Sequence, residues 1–506
     1  MTARRLVAAV AAAALVFALG GAASASSVSV LHSFGGADGV SAAGQLVDGG
    51  DGFLYGATRF GGTVDPTENP DGYGTLFRVD AAGNLTTIYR FNRTDGEMPN
   101  GLVRGPDGFF YGTTSHGGDP DELFGGVGTL FRVDSAGNLT VLHRFVPVEG
   151  SWPSAAPTFG PDGALYGSSS AGSGASYYGT LWRWTPESGL AVIHRFTGWD
   201  GFEPLGPLRL ASDGNLYGTT NDGGAFRSCG TVFRIVPPGA HELLHSFAFT
   251  DGCQPKGGVV EATDGAFYGT TETGLSWGTV FRMDGAGNVT TLHSFDAYLT
   301  TGAFPASGLF QASDGFLYGT ASRGGSSPDP VPPTCNNMRG GEIETVYCGV
   351  VFRVSTTGDF ALVHTFTGGD GNMPMSGVMQ WTDGALYGGT AFGGAFGRGV
   401  LYRLGETSGT ILPTLTSLTL SQPSATAGST ITGTVRLGSA ALAGGAEVAL
   451  ASSLPRIAAV PSAVTVPAGA TTATFAIATK RKKDGLAVIS ASYHGITRTA
   501  VLIVVR

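Results

Sequence analysis

The sequence predicts an all-β protein: a seven-bladed β-propeller with four-stranded blades, followed by an immunoglobulin-like β-sandwich. Three short phrases predict the propeller, because they recur together about every fifty residues, the period of repeats built from short strands. The first phrase, Asp-Gly-x-(Leu/Phe)-Tyr-Gly, begins at Asp51, Asp107, Asp162, Asp213, Asp264, Asp314 and Asp383. A Gly-(Thr/Val)-(Leu/Val)-aromatic-Arg phrase follows each copy. A phrase of the Leu-His-Ser-Phe type ends at Phe34, Phe91, Phe145, Phe196, Phe247, Phe295 and Phe366.

Each repeat is predicted to supply four antiparallel strands. In the second unit these are 101–105, 109–114, 128–133 and 139–145. The first two strands are joined by an Asp-Gly turn, a favoured two-residue hairpin connection, because both central residues need positive φ. The aromatic and threonine-rich second strand has the composition that strands prefer. Four strands joined by hairpins make one blade.

The chain enters the repeats out of phase, with a strand of the fourth type at 28–34, and leaves them with a strand of the third type at 399–404. We therefore expect 28–34 to complete the seventh blade as its outer strand, which would remove open sheet edges. The predicted domains are a signal peptide (1–25), the propeller (26–404), a linker (405–414) and the sandwich (415–506). The sandwich is predicted from short alternating apolar runs in a segment rich in Ala, Thr, Ser and Val.

Charge and the N-terminal segment limit the function classes. The net charge is −9 and only 13% of residues are charged, so the basic surface that nucleic acid requires is not expected. Arg4 and Arg5, the apolar stretch 6–19 and the small residues 23–25 predict a cleaved signal peptide. The apolar stretch is short for a membrane anchor, and no later segment has the length of a span. We expect a secreted, periplasmic or surface-located monomer without a membrane span.

Export favours disulfide bonds for the four cysteines. The repeat map favours the pairs Cys229–Cys253 and Cys335–Cys348, the second within a proline-rich loop insert. The alternative is one metal ion held by four thiolates, but no Cys-x-x-Cys spacing supports it. No metal site is therefore predicted from the cysteines.

The loops between the second and third strands vary from 6 to 27 residues, whereas the turns on the opposite face are uniform. Because loops on a rigid scaffold often carry function, the variable face is the predicted binding face. The alternative is that these loops differ in length without a ligand. The candidate ligand-binding residues are Asp65, Glu68, Asp71, Tyr73, Tyr177, Tyr178, Trp277 and Tyr347. No cofactor is predicted, although Asp65, Glu68 and Asp71 could hold calcium through oxygen ligands.

The other recurring polar residues have a structural interpretation. Six fourth strands carry a histidine, but equivalent positions on different blades lie too far apart to share one metal ion. The tyrosine of the first phrase and the arginine of the second recur in all seven units, which favours packing and hydrogen bonding over catalysis. Paired carboxylates on the first strands, a Gly-x-Ser-x-Gly elbow and a phosphate loop are all missing from the sequence. No catalytic residue is predicted. The histidines are His32, His143, His194, His245, His293 and His364.

With these phrases, residues 28–404 resemble the GloVer tandem repeat of bacterial exported proteins, a family named "choice-of-anchor" for its different C-terminal anchors. The resemblance implies no defined activity and supplies no catalytic residues. The C-terminal part resembles the immunoglobulin-like modules of bacterial secreted proteins, and it shows no recognisable sorting signal.

The sequence as a whole favours an exported, non-enzymatic binding or interaction protein whose ligand is a glycan or a cell-surface protein. The alternative is a polysaccharide-active enzyme, a hydrolase or a lyase, working at the same face. Such an enzyme needs two acids, or an acid and a base, within reach of one substrate bond.

Overall fold

The computed structural model describes residues 28–65, 69–119, 126–172, 178–226, 228–296, 300–325, 334–339, 342–405, 415–437, 440–441, 445–480, 485–493 and 496–505. Side chains of 334–347 are outside this description, as are the predicted signal peptide and nearly all of the predicted linker. The fold is all-β, as predicted, and no helix occurs in the described parts of the chain. None of those parts forms a helix capable of crossing a membrane.

The first half of the repeat region forms one closing strand and four sheets. The closing strand is β1 (Val28–Ser33). Sheet one contains β2 (Val40–Asp48), β3 (Leu54–Phe60), β4 (Thr75–Val79) and β5 (Leu85–Arg90). Sheet two contains β6 (Glu97–Arg104), β7 (Phe110–His116), β8 (Thr129–Val133) and β9 (Leu139–Arg144). Sheet three contains β10 (Ser151–Pro153), β11 (Thr158–Phe159), β12 (Leu165–Ala171), β13 (Thr180–Thr185) and β14 (Gly189–Arg195). Sheet four contains β15 (Arg209–Leu210), β16 (Leu216–Thr220), β17 (Thr231–Val236) and β18 (Ala240–Ser246).

The second half forms three further sheets and a hairpin. Sheet five contains β19 (Val259–Glu261), β20 (Phe267–Thr271), β21 (Thr279–Met283) and β22 (Val289–Ser294). Sheet six contains β23 (Phe310–Gln311), β24 (Leu317–Ala321), β27 (Val350–Val354) and β28 (Phe360–Thr365). Between β24 and β27 the chain forms the hairpin of β25 (Thr334–Arg339) and β26 (Glu342–Tyr347). Sheet seven contains β29 (Met379–Gln380), β30 (Leu386–Gly389), β31 (Val400–Leu404) and β1.

Strand β1 pairs antiparallel with β31, from Val28 opposite Leu404 to Ser33 opposite Val400. It is the outermost strand of sheet seven, which confirms the predicted closure. Sheet seven in turn packs on sheet one through a shared buried cluster that includes Phe34, Phe77 and Tyr387. The seven sheets therefore close into a ring.

One aromatic contact repeats at every junction between sheets. The phenylalanine that follows each outermost strand packs on the aromatic residue of the third strand in the next sheet, with ring centroids 5.1–5.6 Å apart. These contacts lie in buried apolar clusters, so each sheet buries its faces against its two neighbours. The pairs are Phe34–Phe77, Phe91–Phe131, Phe145–Trp182, Phe196–Phe233, Phe247–Phe281, Phe295–Phe352 and Phe366–Tyr402.

Glycines let the innermost strands of neighbouring sheets approach closely. A Cβ at Gly257 would lie 2.4 Å from the carbonyl carbon of Ser307, and one at Gly308 would lie 2.5 Å from the Gly257 oxygen. A Cβ at Gly44 would lie 2.5 Å from the Asn100 oxygen. Backbone therefore packs on backbone at the centre of the ring, in space that a side chain cannot share.

The C-terminal part forms two sheets over one apolar core. The first contains β32 (Leu415–Leu420), β34 (Thr430–Leu437), β36 (Ala458–Ala459) and β38 (Thr472–Thr479). The second contains β33 (Ser424–Thr426), β35 (Ala446–Ser452), β37 (Ala463–Val466), β39 (Gly485–Tyr493) and β40 (Ile496–Val505). Burial alternates along β34 and β38, as expected when one face of a sheet packs on a core. The immunoglobulin-like subtype stays a prediction.

The disulfide Cys229–Cys253 is present, with sulfurs 2.02 Å apart, which confirms the first predicted pair. It joins the loop before β17 to the connection after β18. Cys348 is also disulfide-bonded, while the side chain of its predicted partner Cys335 lies outside the description. The insert that contains Cys335 is not wholly irregular, because β25 and β26 form a hairpin within it.

Candidate functional site

The Asp-Gly turns on one face of the ring, here called the turn face, are occupied by structural hydrogen bonds. In all seven copies the tyrosine hydroxyl of the first phrase donates to the aspartate four residues earlier, over 2.7–2.9 Å. Some arginines of the second phrase join this contact, as Arg183 does with Asp162 and Arg403 with Asp383. The structural interpretation of these recurring residues is confirmed.

The opposite face, here called the loop face, carries the loops between second and third strands and the connections between sheets. Loops and connections pair there, as between Phe202 and Asp222 or Cys253 and Thr273. Most large apolar side chains that are exposed on the described ring lie on this face, and Trp199 and Leu275 are exposed by 61% and 79%. They are Val64, Val146, Val148, Trp152, Tyr178, Trp199, Phe226, Phe249, Leu275, Trp277, Met375, Phe392 and Phe396.

Seven residues where the connections enter the innermost strands have φ between 54° and 62°, a conformation that costs a non-glycine residue about 1 kcal/mol or more. We call them the mouth ring. Each backbone N–H donates to a carbonyl of the preceding sheet, as Trp152 does to Val127 over 3.0 Å. Hydrogen bonds between sheets thus hold the strained backbone. The mouth ring comprises Ser41, Met98, Trp152, Glu203, Gln254, Phe304 and Met373.

A cavity of about 360 Å³ opens on the loop face between sheets three and four. Two mouth-ring residues, Trp152 and Glu203, line it together with Phe202. The remaining lining is small and includes Ser151, Ser170, Ala171 and Gly172, with Pro147 at one side. Aromatic walls beside one carboxylate have the composition of a small-molecule site.

Two carboxylates meet beside this cavity. Asn221, which is only 5% exposed, donates through Nδ2 to Glu203 Oε2 over 3.1 Å and to Asp222 Oδ2 over 2.6 Å. Burial and the neighbouring Glu203 raise the pKa of Asp222. A carboxyl with a raised pKa keeps its proton to a higher pH and can act as a proton donor. The same arrangement can hydrogen-bond the hydroxyl groups of a ligand.

A second polar group lies on the other side of Trp152. The His116 ring stacks on the Trp152 ring with centroids 5.9 Å apart. Burial and the nearby Arg59 lower the pKa of His116, whereas burial raises the pKa of Glu97, which accepts a 2.6 Å hydrogen bond from Asn69. Trp152 therefore stands between two clusters of partly desolvated polar side chains.

The predicted site residues whose side chains the structure describes do not form one cluster. Tyr178 and Trp277 are exposed on the loop face, each packed edge-on against an aromatic residue of the next connection, Phe202 and Phe304. Tyr73 is only 7% exposed and belongs to the core between sheets one and two.

Asp65 is half-buried and pairs through its backbone with Asn69, and Asp71 is exposed. Glu68, Tyr177 and the Tyr347 side chain fall outside the described residues. Calcium binding by Asp65, Glu68 and Asp71 stays a prediction.

Sequence reasoning missed Trp152, Glu203, Asn221 and Asp222. A local signal existed for the first two, because a Gly-x-x-Pro phrase recurs where six of the seven connections enter the next sheet. The residue before that proline is the mouth-ring residue in each of the six. No comparable signal marks Asn221 and Asp222, since other loops carry different residues at their positions.

The recurring histidines contact acidic residues in the connections between sheets. Five of them contact an acid six residues later, at 2.6–2.9 Å, and Tyr89 makes the same contact with Asp95. These acids also accept backbone N–H groups of the turn, as Asp200 does from Thr197 over 2.8 Å. These five histidines are therefore structural, as predicted.

One histidine group has metal-like proximity. His194, Asp200 and His241 each place a ligand atom within 4.8 Å of the others. The two imidazole rings are stacked 3.9 Å apart and are parallel to within 6°, so their in-plane lone pairs cannot converge on one ion. His293 stacks in the same manner on Phe360, which has no ligand atom. The group is explained by packing.

This stack predicts a pH dependence. Burial and the neighbouring His194 lower the pKa of His241 to about 4, so the unfolded chain binds the extra proton between pH 6.5 and 4 and stability falls as pH falls through that range. His241→Phe, which introduces the equivalent of Phe360, should match the wild type at pH 7.5 and be the more stable protein at pH 5. Urea unfolding at both pH values measures this. If the two proteins differ in free energy of unfolding by the same amount at pH 7.5 and at pH 5, the prediction is wrong.

Fold and site together define a β-propeller-like repeat protein with a structured turn face and an apolar loop face. The model of the Gloeobacter/Verrucomicrobia repeat matches residues 14–204 and 120–329. The chain therefore belongs to the Gloeobacter/Verrucomicrobia repeat family, which confirms the resemblance seen in the sequence. No curated protein matches it.

Solved structures show weak likeness to the chain. A luciferin-regenerating enzyme is 11% identical, with a TM-score of 0.37, 58% of this chain and 88% of that chain covered. An α-L-arabinofuranosidase from Clostridium thermocellum is 14% identical, with a TM-score of 0.31 and coverages of 49% and 92%. A triple mutant of AofleA from Arthrobotrys oligospora is 10% identical, with a TM-score of 0.36 and coverages of 67% and 90%. Likeness at this level carries no functional argument.

Proposed function

We propose that this protein is an exported, non-enzymatic binding protein whose loop face recognises a glycan. The observation that carries the proposal is the concentration of exposed apolar and aromatic side chains on the loop face. Soluble proteins seldom leave such groups together in water, and where they do the patch is often an interaction site. The turn face, in contrast, devotes its recurring polar groups to internal hydrogen bonds.

The chemistry of the cavity favours a sugar. Sugar rings present C–H faces, which pack on aromatic rings such as Trp152 and Phe202, and hydroxyl groups, which hydrogen-bond to carboxylates and amides. Glu203 supplies such an acceptor at the cavity wall, and hydrogen bonds from Asn221 link it to Asp222. A cavity of about 360 Å³ suits one or two sugar rings of a longer chain.

The disulfide Cys229–Cys253 fits an extracellular location, because disulfides persist in oxidising compartments. Cleavage of a signal peptide after residue 25 completes the proposal. Sequencing the N-terminus of the exported protein tests it directly.

Trp152→Ser is the test of the binding site. Serine is the mouth-ring residue of sheet one at Ser41, so the backbone already accepts it in this conformation. We expect the variant to keep its melting temperature. Its affinity for the polysaccharide that the wild type binds in a panel should fall at least about tenfold, since aromatic residues that become buried on binding often dominate such sites. Affinity electrophoresis or calorimetry measures it.

Leu243→Ala is the matched control, because Leu243 is exposed on the outermost strand of sheet four, away from the loop face. It should bind as the wild type does. Equal affinity of the wild type and Trp152→Ser would overturn the proposal. If the wild type binds no polysaccharide of the panel but binds a purified surface protein, the ligand is a protein and not a glycan.

One observation favours the enzymatic alternative. Glu203 Oε2 and Asp222 Oδ2 both accept from Asn221 Nδ2, over 3.1 and 2.6 Å, so two carboxyl groups lie close together, and a neighbouring carboxyl pair is what glycoside hydrolases use. New reducing ends or unsaturated products that disappear in both Glu203→Gln and Asp222→Asn would establish hydrolase or lyase activity. Binding without products in the wild type would leave the binding function in place.

A further inference from the structure

Seven residues occupy equivalent positions on the innermost strands, each opposite the recurring tyrosine of the second strand. Six of them are uncharged, and the seventh, in sheet four, is Arg209. Because these strands lie at the centre of the ring, this position places a lone cation beside the central channel. The seven residues are Val47, Val103, Thr158, Arg209, Val260, Phe310 and Met379.

The Arg209 side chain contacts a sheet that does not neighbour its own. Its Nη2 donates to Oε1 of Gln45 over 3.1 Å. Gln45 belongs to sheet one, which neighbours sheets two and seven but not sheet four. Gln45 Nε2 in turn donates to the Val378 carbonyl over 2.6 Å, which fixes the amide with its oxygen towards Arg209. The Arg209 and Gln45 side chains thus link sheets four, one and seven.

Arg209 has no anionic partner among the residues that the structure describes. Burial lowers the pKa of its guanidinium, and no neighbouring acid opposes that shift. Glu261, the acid that ends β19, accepts hydrogen bonds from Ser212 instead. A guanidinium carries five N–H donors, and the described contacts engage one of its nitrogens. A partly buried positive charge with free donors is costly unless an anion accompanies it.

We propose that the central channel contains a binding site for a small oxyanion, a carboxylate or a phosphate, held by Arg209 and oriented by Gln45. The planar guanidinium matches two oxygens of such a group at once. The anion is either free in solution or the acidic group of a larger ligand, such as a uronic acid, that enters from the loop face. This site is independent of the cavity beside Trp152.

Calorimetry and thermal unfolding of the full chain test the proposal with inorganic phosphate, acetate and glucuronate, at constant ionic strength in a chloride background. We expect at least one of them to bind and to raise the melting temperature with concentration, as a ligand specific for the folded state does. Arg209→Met should abolish both effects. Arg234→Met is the matched control, since it removes a half-buried arginine of the same sheet that pairs with Glu242, and it should respond as the wild type does.

Gln45→Glu provides a second test in case Arg209→Met does not fold. It places a carboxylate opposite Arg209, so the protein should fold and no longer respond to added anions. Binding of phosphate or acetate identifies a free anion, and binding of glucuronate alone identifies the acidic group of a sugar. A wild type that responds to none of the three, or a variant Arg209→Met that still binds, would overturn the proposal.

Discussion

Replacing Phe34 by alanine is expected to lower the free energy of unfolding of the ring by about 4 kcal/mol. Phe34 is completely buried and packs on Phe77 with ring centroids 5.6 Å apart. It follows β1, so its loss creates a cavity at the junction where sheet seven meets sheet one. The chain break of the ring lies in the same sheet, because β1 pairs with β31 without a connecting turn, so sheet seven depends on side chains and strand pairing to hold β1. Urea unfolding followed by tryptophan fluorescence measures the effect.

Val30→Ala is the matched control, because Val30 lies on the same strand but is exposed. Its free energy of unfolding should change by less than about 0.5 kcal/mol. Deleting residues 26–35 from the mature protein removes strand and phenylalanine together and should cost more than Phe34→Ala, since β31 then becomes an open edge. A deletion variant with unchanged thermal unfolding would refute the closure of the ring by β1.

Gly257→Ala is expected to destabilise the ring by about 3 kcal/mol. The new Cβ would lie 2.4 Å from the Ser307 carbonyl carbon and 2.5 Å from the Gly308 nitrogen, and both are backbone atoms. No side chain can rotate to relieve this contact, so the innermost strands of sheets five and six must separate. Equilibrium urea unfolding of the variant and the wild type gives the difference.

Gly285→Ala distinguishes the contact from a general effect of losing glycine. A Cβ at Gly285 meets nothing within 4 Å, and the corresponding turn of sheet one already has alanine, Ala81. This control should be neutral. If both alanine variants unfold at the same urea concentration, the close approach of the innermost strands does not limit stability.

The ring was predictable because its determinants are local and repeated. The Asp-Gly turn was predicted from its glycine, although positive φ occurs at the glycine alone, as at Gly52 and Gly108, and not at both central residues as expected. The alternating phrases on either side give the strands. The closure by β1 followed from counting strand types at the two ends of the repeats. The innermost strands were harder, since β6 begins earlier than the predicted 101–105 and the innermost strand of sheet three is divided into β10 and β11.

The candidate site was less predictable because it depends on contacts between different repeats. Tyrosine is a common residue type in binding sites, yet Tyr73 is buried in the core. The bridge from Glu203 through Asn221 to Asp222 joins a connection to a loop, and its chemistry depends on the burial of Asn221. Likewise Gln45 and Arg209 are 164 residues apart, and only the ring geometry brings them together.

The pairing of Val28 with Leu404 has a consequence for protein engineering. The six turns that join third to fourth strands, five residues long as at 80–84 and three residues long in sheets three and four, have no counterpart in sheet seven, where two chain segments meet instead. A five-residue Asp-x-Ala-Gly-Asn linker from residue 404 to residue 28 would supply the missing hairpin, and the chain could then begin and end within any of the six others. The ring therefore permits circular permutants whose new termini lie on the turn face and leave the loop face intact.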